Sequence, residues 1–209
     1  MITNHYGKKG AILMVNWKLI ITTLTTLLAM SGTGASAQAF GIEKGSPIGS
    51  LNVVREINPF RYVVTVPKPH PEFESYNVRT SSETGICSVT GIGKDHDSDR
   101  YGTSVKSAFS SLSNALNNIY GANKSYDFIK SEALWDEPED WVMSLKQNER
   151  FYSTFWDEEE KSDMPEGLFS IGLGVYATSS DSAYVKLTYD FDNRDVCQKI
   201  SDSQDEGGL

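Results

Sequence analysis

From residue 60 onward the chain alternates between two periods. FRYVVTV at 60–66 sets Phe60, Tyr62, Val64 and Val66 on one side, the two-residue repeat of a strand. PKPHP at 67–71 ends that strand, because three prolines offer no donor N–H to a ladder. Tyr76–Thr80 and Ile86–Ile92 then predict a hairpin or meander around the turn-rich SSETG at 81–85. At Thr103 the period changes. Val105, Ala108, Phe109, Leu112, Ala115, Leu116, Ile119 and Tyr120 follow the i, i+3, i+4, i+7 series of a helix over 103–120. Thr103 or Ser104 suits its cap, and Gly121 suits a left-handed stop.

A shorter helix is predicted from Pro138, burying Trp141, Val142 and Leu145. Strand periodicity then returns at 150–156, at Leu168–Tyr176 (Phe169, Ile171, Leu173 and Val175 on one face) and at Tyr184–Phe191 (Val185, Leu187, Tyr189 and Phe191). The order βββ-α-α-βββ lacks βαβ alternation, so the fold class is α+β: an antiparallel sheet with the 103–120 helix packed across it. Phe109, Leu112 and Leu116 should share a core with Leu173, Leu187 and Tyr189. Residues 60–200 form this single domain. Residues 38–59, with three Gly and two Pro, read as an irregular arm with at most a short helix near Leu51–Ile57, and 201–209 as a disordered tail.

Upstream, Lys18 precedes a run of about 12 apolar or hydroxyl residues (19–30) and then Ala35-Ser36-Ala37, the pattern of a secretory signal peptide over 1–37. A bilayer span needs roughly 20 residues. Met14 lies just before this pattern, which makes 1–13 an over-extended start; a second A-x-A ends at Ala39. The expected location is secreted or periplasmic, with no membrane span after cleavage.

Composition then narrows the function classes. The 209 residues hold 28 acids and 19 bases, a net charge of −9; losing the three lysines of 1–37 takes this to −12. Nucleic-acid binding needs clustered Lys and Arg and is disfavoured. Cys87 and Cys197 are the only cysteines, and in an exported chain they are expected to bridge each other across a loop of about 110 residues.

No motif specifies a catalyst or a cofactor. Asp95, Asp97 and Asp99 form a D-x-D-x-D run, a weak calcium candidate, since Arg100 and Lys106 occupy the positions where an EF-hand has Gly and Glu. His70 and His96 have no second histidine at metal-ligand spacing. Gly172-x-Gly174-x-x-Ala177 matches a dinucleotide string inside a predicted strand, where the glycines instead favour close approach of an aromatic. Asn123-Lys124-Ser125 is a glycosylation sequon. The densest composition is 135–163, where aromatic residues alternate with acids. Trp135, Asp136, Glu137, Asp140, Trp156, Asp157, Glu158 and Glu159 are the candidate partner surface. The expected function is an exported, acidic, non-catalytic binding or inhibitor-like domain for a cationic protein. The alternatives are a secreted hydrolase built around His70 or His96, and an envelope-associated structural domain.

Overall fold

A computed structural model describes residues 37–206. The leader pattern of residues 1–36 and the last three residues lie outside that range. The described residues are α+β, dominated by one eight-stranded antiparallel sheet. A two-stranded ladder, β1 (Gln38–Ala39) and β2 (Ile42–Glu43), comes first. The main sheet is built from β3 (Asn52–Asn58), β4 (Arg61–Thr65), β5 (Phe73–Ser81), β6 (Gly85–Gly93), β7 (Lys124–Ile129), β8 (Arg150–Asp157), β9 (Leu168–Ala177) and β10 (Ala183–Phe191). The helices are α1 (Thr103–Tyr120), α2 (Trp141–Lys146) and α3 (Arg194–Glu206).

Strand order is β3-β4-β5-β6-β10-β9-β8-β7. Two four-stranded meanders therefore join through their last strands, β6 against β10, with Thr188 opposite Thr90. Each meander is followed by a helix, α1 after the first and α3 after the second. The strand plan is symmetric about the β6–β10 pair; the helices are not, because they pack on different strands and different faces.

One face carries the core. Val105, Phe109, Leu112 and Leu116 of α1 are buried, and α1 packs on β9 and β10. Leu173, Leu187 and Tyr189 belong to the same buried cluster, as the periodicity predicts. Where α1 does not reach, the N-terminal arm does. Phe40 sets its ring against Phe73, Tyr76 and Tyr189, with centroids 5.4, 4.8 and 5.5 Å away. It does so with φ +52°, a left-handed backbone that a bulky residue adopts only where packing compensates. Gly91 leaves room beneath it, where a Cβ would lie 3.0 Å from Phe73 and 3.1 Å from Phe40.

Segment 38–59 is thus not an irregular arm. Its first part covers the core, and the helix expected near Leu51–Ile57 is the edge strand β3, entirely exposed and twice bulged against β4. Val53, Val54 and Ile57 are β-branched and pair better on a pleated edge than they wind into a turn. The 201–209 tail is also corrected, because α3 runs to Glu206. A covalent anchor explains it: Cys197 of α3 bonds Cys87 of β6, S–S 2.07 Å. The β5–β6 register shifts at this point, with Arg79 opposite Ser88 and Thr80 opposite Ile86. Gln198 of α3 accepts from Arg79 at 2.7 Å. Arg79 alternates with the buried Val78, so α3 lies on the face opposite α1.

The cap of α1 differs from the expected Thr103 or Ser104. Gly102 occupies the cap position at φ +66°, where a Cβ would sit 2.2 Å from the Trp141 ring. The Asp99 carboxylate accepts from the Ser104 N–H at 2.6 Å. Gly121 ends the helix at φ +72°.

Candidate functional site

Among the described residues α3 packs mainly on β5 and β6 and reaches β9 and β10 through Arg194, leaving the rest of that face on β7–β10 bare. Strand parity decides which side chains line it. On β8, Thr154 and Trp156 point to the core, and Phe151, Ser153, Phe155 and Asp157 point away. Cross-strand register adds Lys124, Tyr126 and Phe128 of β7, Gly172 and Gly174 of β9, and Lys186, Thr188 and Asp190 of β10.

Four rings meet at the β7 edge. Phe151 and Phe155 are parallel within 10°, with centroids 6.4 Å apart. Tyr126 presents its edge to both, and Phe128 lies against Phe151. Phe128 is 51% exposed and Phe151 38%. Phe155 can lie flat because Gly172 is beneath it: a Cβ on Gly172 would be 3.1 Å from its ring. Gly172 of the G-x-G-x-x-A string thus serves aromatic packing across the sheet, as expected, whereas Gly174 makes room for the Ser153 hydroxyl, 2.7 Å from where its Cβ would lie.

Carboxylates rim these rings. Asp157, Glu159 and Glu160 border the β7–β8 groove. Lys124 stands over the Tyr126 ring at 5.5 Å and reaches Glu160 at 3.4 Å. Tyr126 first, then Glu160, hold its ammonium above the ordinary lysine pKa. Beyond Phe155 the surface deepens into a hollow of about 780 Å³. Asp157, Glu158, Glu159, Glu166, Asp190 and Asp192 line it against one guanidinium, Arg194. Arg194 lies 3.5 Å over the Phe169 ring and 3.9 Å from Asp190. Such an arrangement can hold a cation between a π face and a carboxylate.

The candidate surface read from the sequence divides. Asp157, Glu158 and Glu159 line the hollow. Trp156 does not: it is fully buried, and its Nε1–H donates to Asn117 Oδ1 at 3.1 Å. Acidic neighbours suggest exposure, but one step along a strand inverts the face, and Phe155 takes the surface position. Trp135 is half-buried beside α2, where Glu149 accepts from the backbone N–H of Leu134 and Trp135. Asp140 pairs with Arg100 at 2.9 Å. Trp135, Asp136, Glu137 and Asp140 line none of the hollows on the bare face.

The other candidates have local partners. Asp95 accepts from Thr178, Asp97 from Ser182 and Asp99 from the Ser104 N–H. These three carboxylates converge on no common point, and no metal-holding group is found among the described residues. His70 accepts from the Glu72 N–H at 3.2 Å, and His96 Nε2 pairs with Glu72 Oε1 at 3.0 Å. That pairing orients an imidazole, and among the described residues no hydroxyl is hydrogen-bonded to it. The sequon Asn123 is built into the core support, with its amide donating to Asn117 and accepting from Thr154 at 3.0 Å. Among the described residues no helix is long and apolar enough to cross a membrane. No family model, curated protein or solved structure matches the chain.

Proposed function

We propose that the protein is an exported acidic domain that binds a basic partner protein on the bare face of β7–β10 and catalyses nothing. The exposed ring cluster around Phe155, bordered by carboxylates, carries this reading. Exposed aromatics in a polar rim are the composition from which interface anchors are drawn. A surplus of acid steers cationic proteins toward such a face. The leader pattern and the Cys87–Cys197 bridge support an oxidising compartment outside the cytoplasm.

The test of binding is capture from the native host's envelope and medium at low salt, with Phe151→Ala/Phe155→Ala as the matched control. A basic protein retained by the wild type, released by salt and lost from the control is the expected result. Retention of nothing, or equal retention by both, contradicts the reading. Export is tested by the N-terminus of the native protein. Cleavage after Ala37 preserves β1, whereas cleavage after Ala39 removes it, so Gln38 is the expected first residue and a soluble cytosolic chain beginning at Met1 or Met14 is the contrary one.

A further inference from the structure

We infer that the hollow between Phe155 and Phe169 is a guanidinium subsite: an arginine side chain of the basic partner lies on the Phe155 ring and pairs with Asp157 and Glu159. This rests on the binding reading above and names the chemistry of its anchor.

Three other rings of this surface already carry a cation from the chain itself. Lys124 covers Tyr126 at 5.5 Å, Lys186 covers Tyr176 at 3.8 Å and Arg194 covers Phe169 at 3.5 Å. Each attraction is between a cation and the negative face of a π system. Phe155 is the ring where the groove, the central depression and the large hollow meet. Among the described residues no cation lies on it. Asp190, Asp192 and Glu160 pair with Arg194, Lys44 and Lys124, but four other carboxylates around the ring are uncompensated: Glu158, Glu159 and Glu166 have no ion-pair partner among the described residues, and the Asp157 carboxylate accepts only the N–H of Glu160 at 3.0 Å. The described residues do not supply the positive charge that would complete the arrangement, and the basic partner can.

Arginine fits better than lysine for a reason visible in the same hollow. Arg194 shows that a guanidinium can lie on a ring there while facing a carboxylate. A planar, weakly hydrated fork stacks and pairs at once, whereas a compact ammonium keeps its water. A neutral sugar could stack on Phe155, but it would leave the carboxylates unmatched. Arg194 also has a second role under this arrangement: its charge shares the hollow, so it opposes the incoming side chain.

The experiment is titration calorimetry of the disulfide-bonded protein at low salt with arginine, lysine and citrulline tetrapeptides. The arginine peptide should bind best and the citrulline peptide should not bind. Phe155→Leu keeps an apolar side chain but removes the ring, and should weaken arginine binding by about three- to fivefold, the value of an exposed cation–π contact. Arg194→Gln should strengthen it. Equal binding of the arginine and lysine peptides with no effect of Phe155→Leu, or no peptide binding at all, overturns the subsite. If a basic protein is still captured through the bare face, the wider function survives that result; if none is captured either, both fall.

Discussion

The hydroxyls of Thr90 and Thr188 lie 3.2 Å apart on directly opposed residues of β6 and β10. Each strand ends one of the two meanders, so this hydrogen bond sits on the seam of the sheet. Both threonines are half-buried on the face away from α1. Replacing either one by Val leaves the other hydroxyl short of a partner and should cost about 1 kcal/mol. Replacing both should cost less than the sum of the single changes. Urea unfolding of the four proteins in a double-mutant cycle measures this, and strict additivity would mean the pair is uncoupled.

Trp156 and Phe155 should separate stability from binding. Trp156→Ala removes a fully buried indole and one of the two donors to the Asn117 side chain, at a cost of about 3–5 kcal/mol. Phe155→Ala should change stability far less while abolishing the partner contact. Denaturant midpoints of the two variants, beside the capture assay, check both halves. Leu112→Ala, on the buried face of α1, belongs with the first class at about 2–5 kcal/mol.

That pair of residues also shows what could be read from the chain. The α1 stripe and the alternation of β9 and β10 are long and regular, so the class, the helix and its core contacts were legible. Phe155 and Trp156 are adjacent aromatics in a strand with apolar residues on both faces, and nothing local tells which one is inside. Only the pairing of Trp156 with Ile171 settles it. β7 is not legible in the chain, because the two residues of KSYDFI on the α1 side of the sheet, Ser125 and Asp127, are polar and exposed. Nor is α3, whose apolar content of Val196, Cys197 and Ile200 is too thin to announce a helix without its disulfide. The bare face is defined by where α3 stops, and no local pattern encodes that.

Reducing the Cys87–Cys197 bridge should lower stability by about 4–5 kcal/mol on the chain-entropy account of a loop this long. It should also free α3 from β5 and β6, breaking the Arg79–Gln198 contact. Unfolding curves with and without reductant, and hydrogen exchange of residues 194–200, report the two effects. Unchanged exchange in the reduced protein would show that α3 holds by packing alone.

Alkaline pH should destabilise the fold through Tyr189. Burial first, then Tyr120, pushes its phenol far above the ordinary value; burial raises Tyr120 as well. In the unfolded chain a tyrosine ionises near pH 10. Below that pH both states hold the proton and the full stabilisation is present. Above it the unfolded state loses the proton first, so stability falls as pH rises. Tyr189→Phe should flatten this decline, as followed by unfolding free energy against pH.

The order β3-β4-β5-β6-β10-β9-β8-β7 has a consequence for the timetable of folding. Every pair of neighbouring strands in the sheet is also consecutive in sequence except the central pair, where residues 88–92 of β6 meet 186–190 of β10. The two meanders can therefore zip up separately, from contacts close along the chain, while the middle of the sheet waits for nearly the whole polypeptide. The crosslink waits too, because Cys197 follows Cys87 by 110 residues. As the chain emerges during synthesis, Cys87 would come out early and stay unpartnered until Cys197 arrives. The sheet would close from its margins inward, and the bond that locks α3 in place would be the final event.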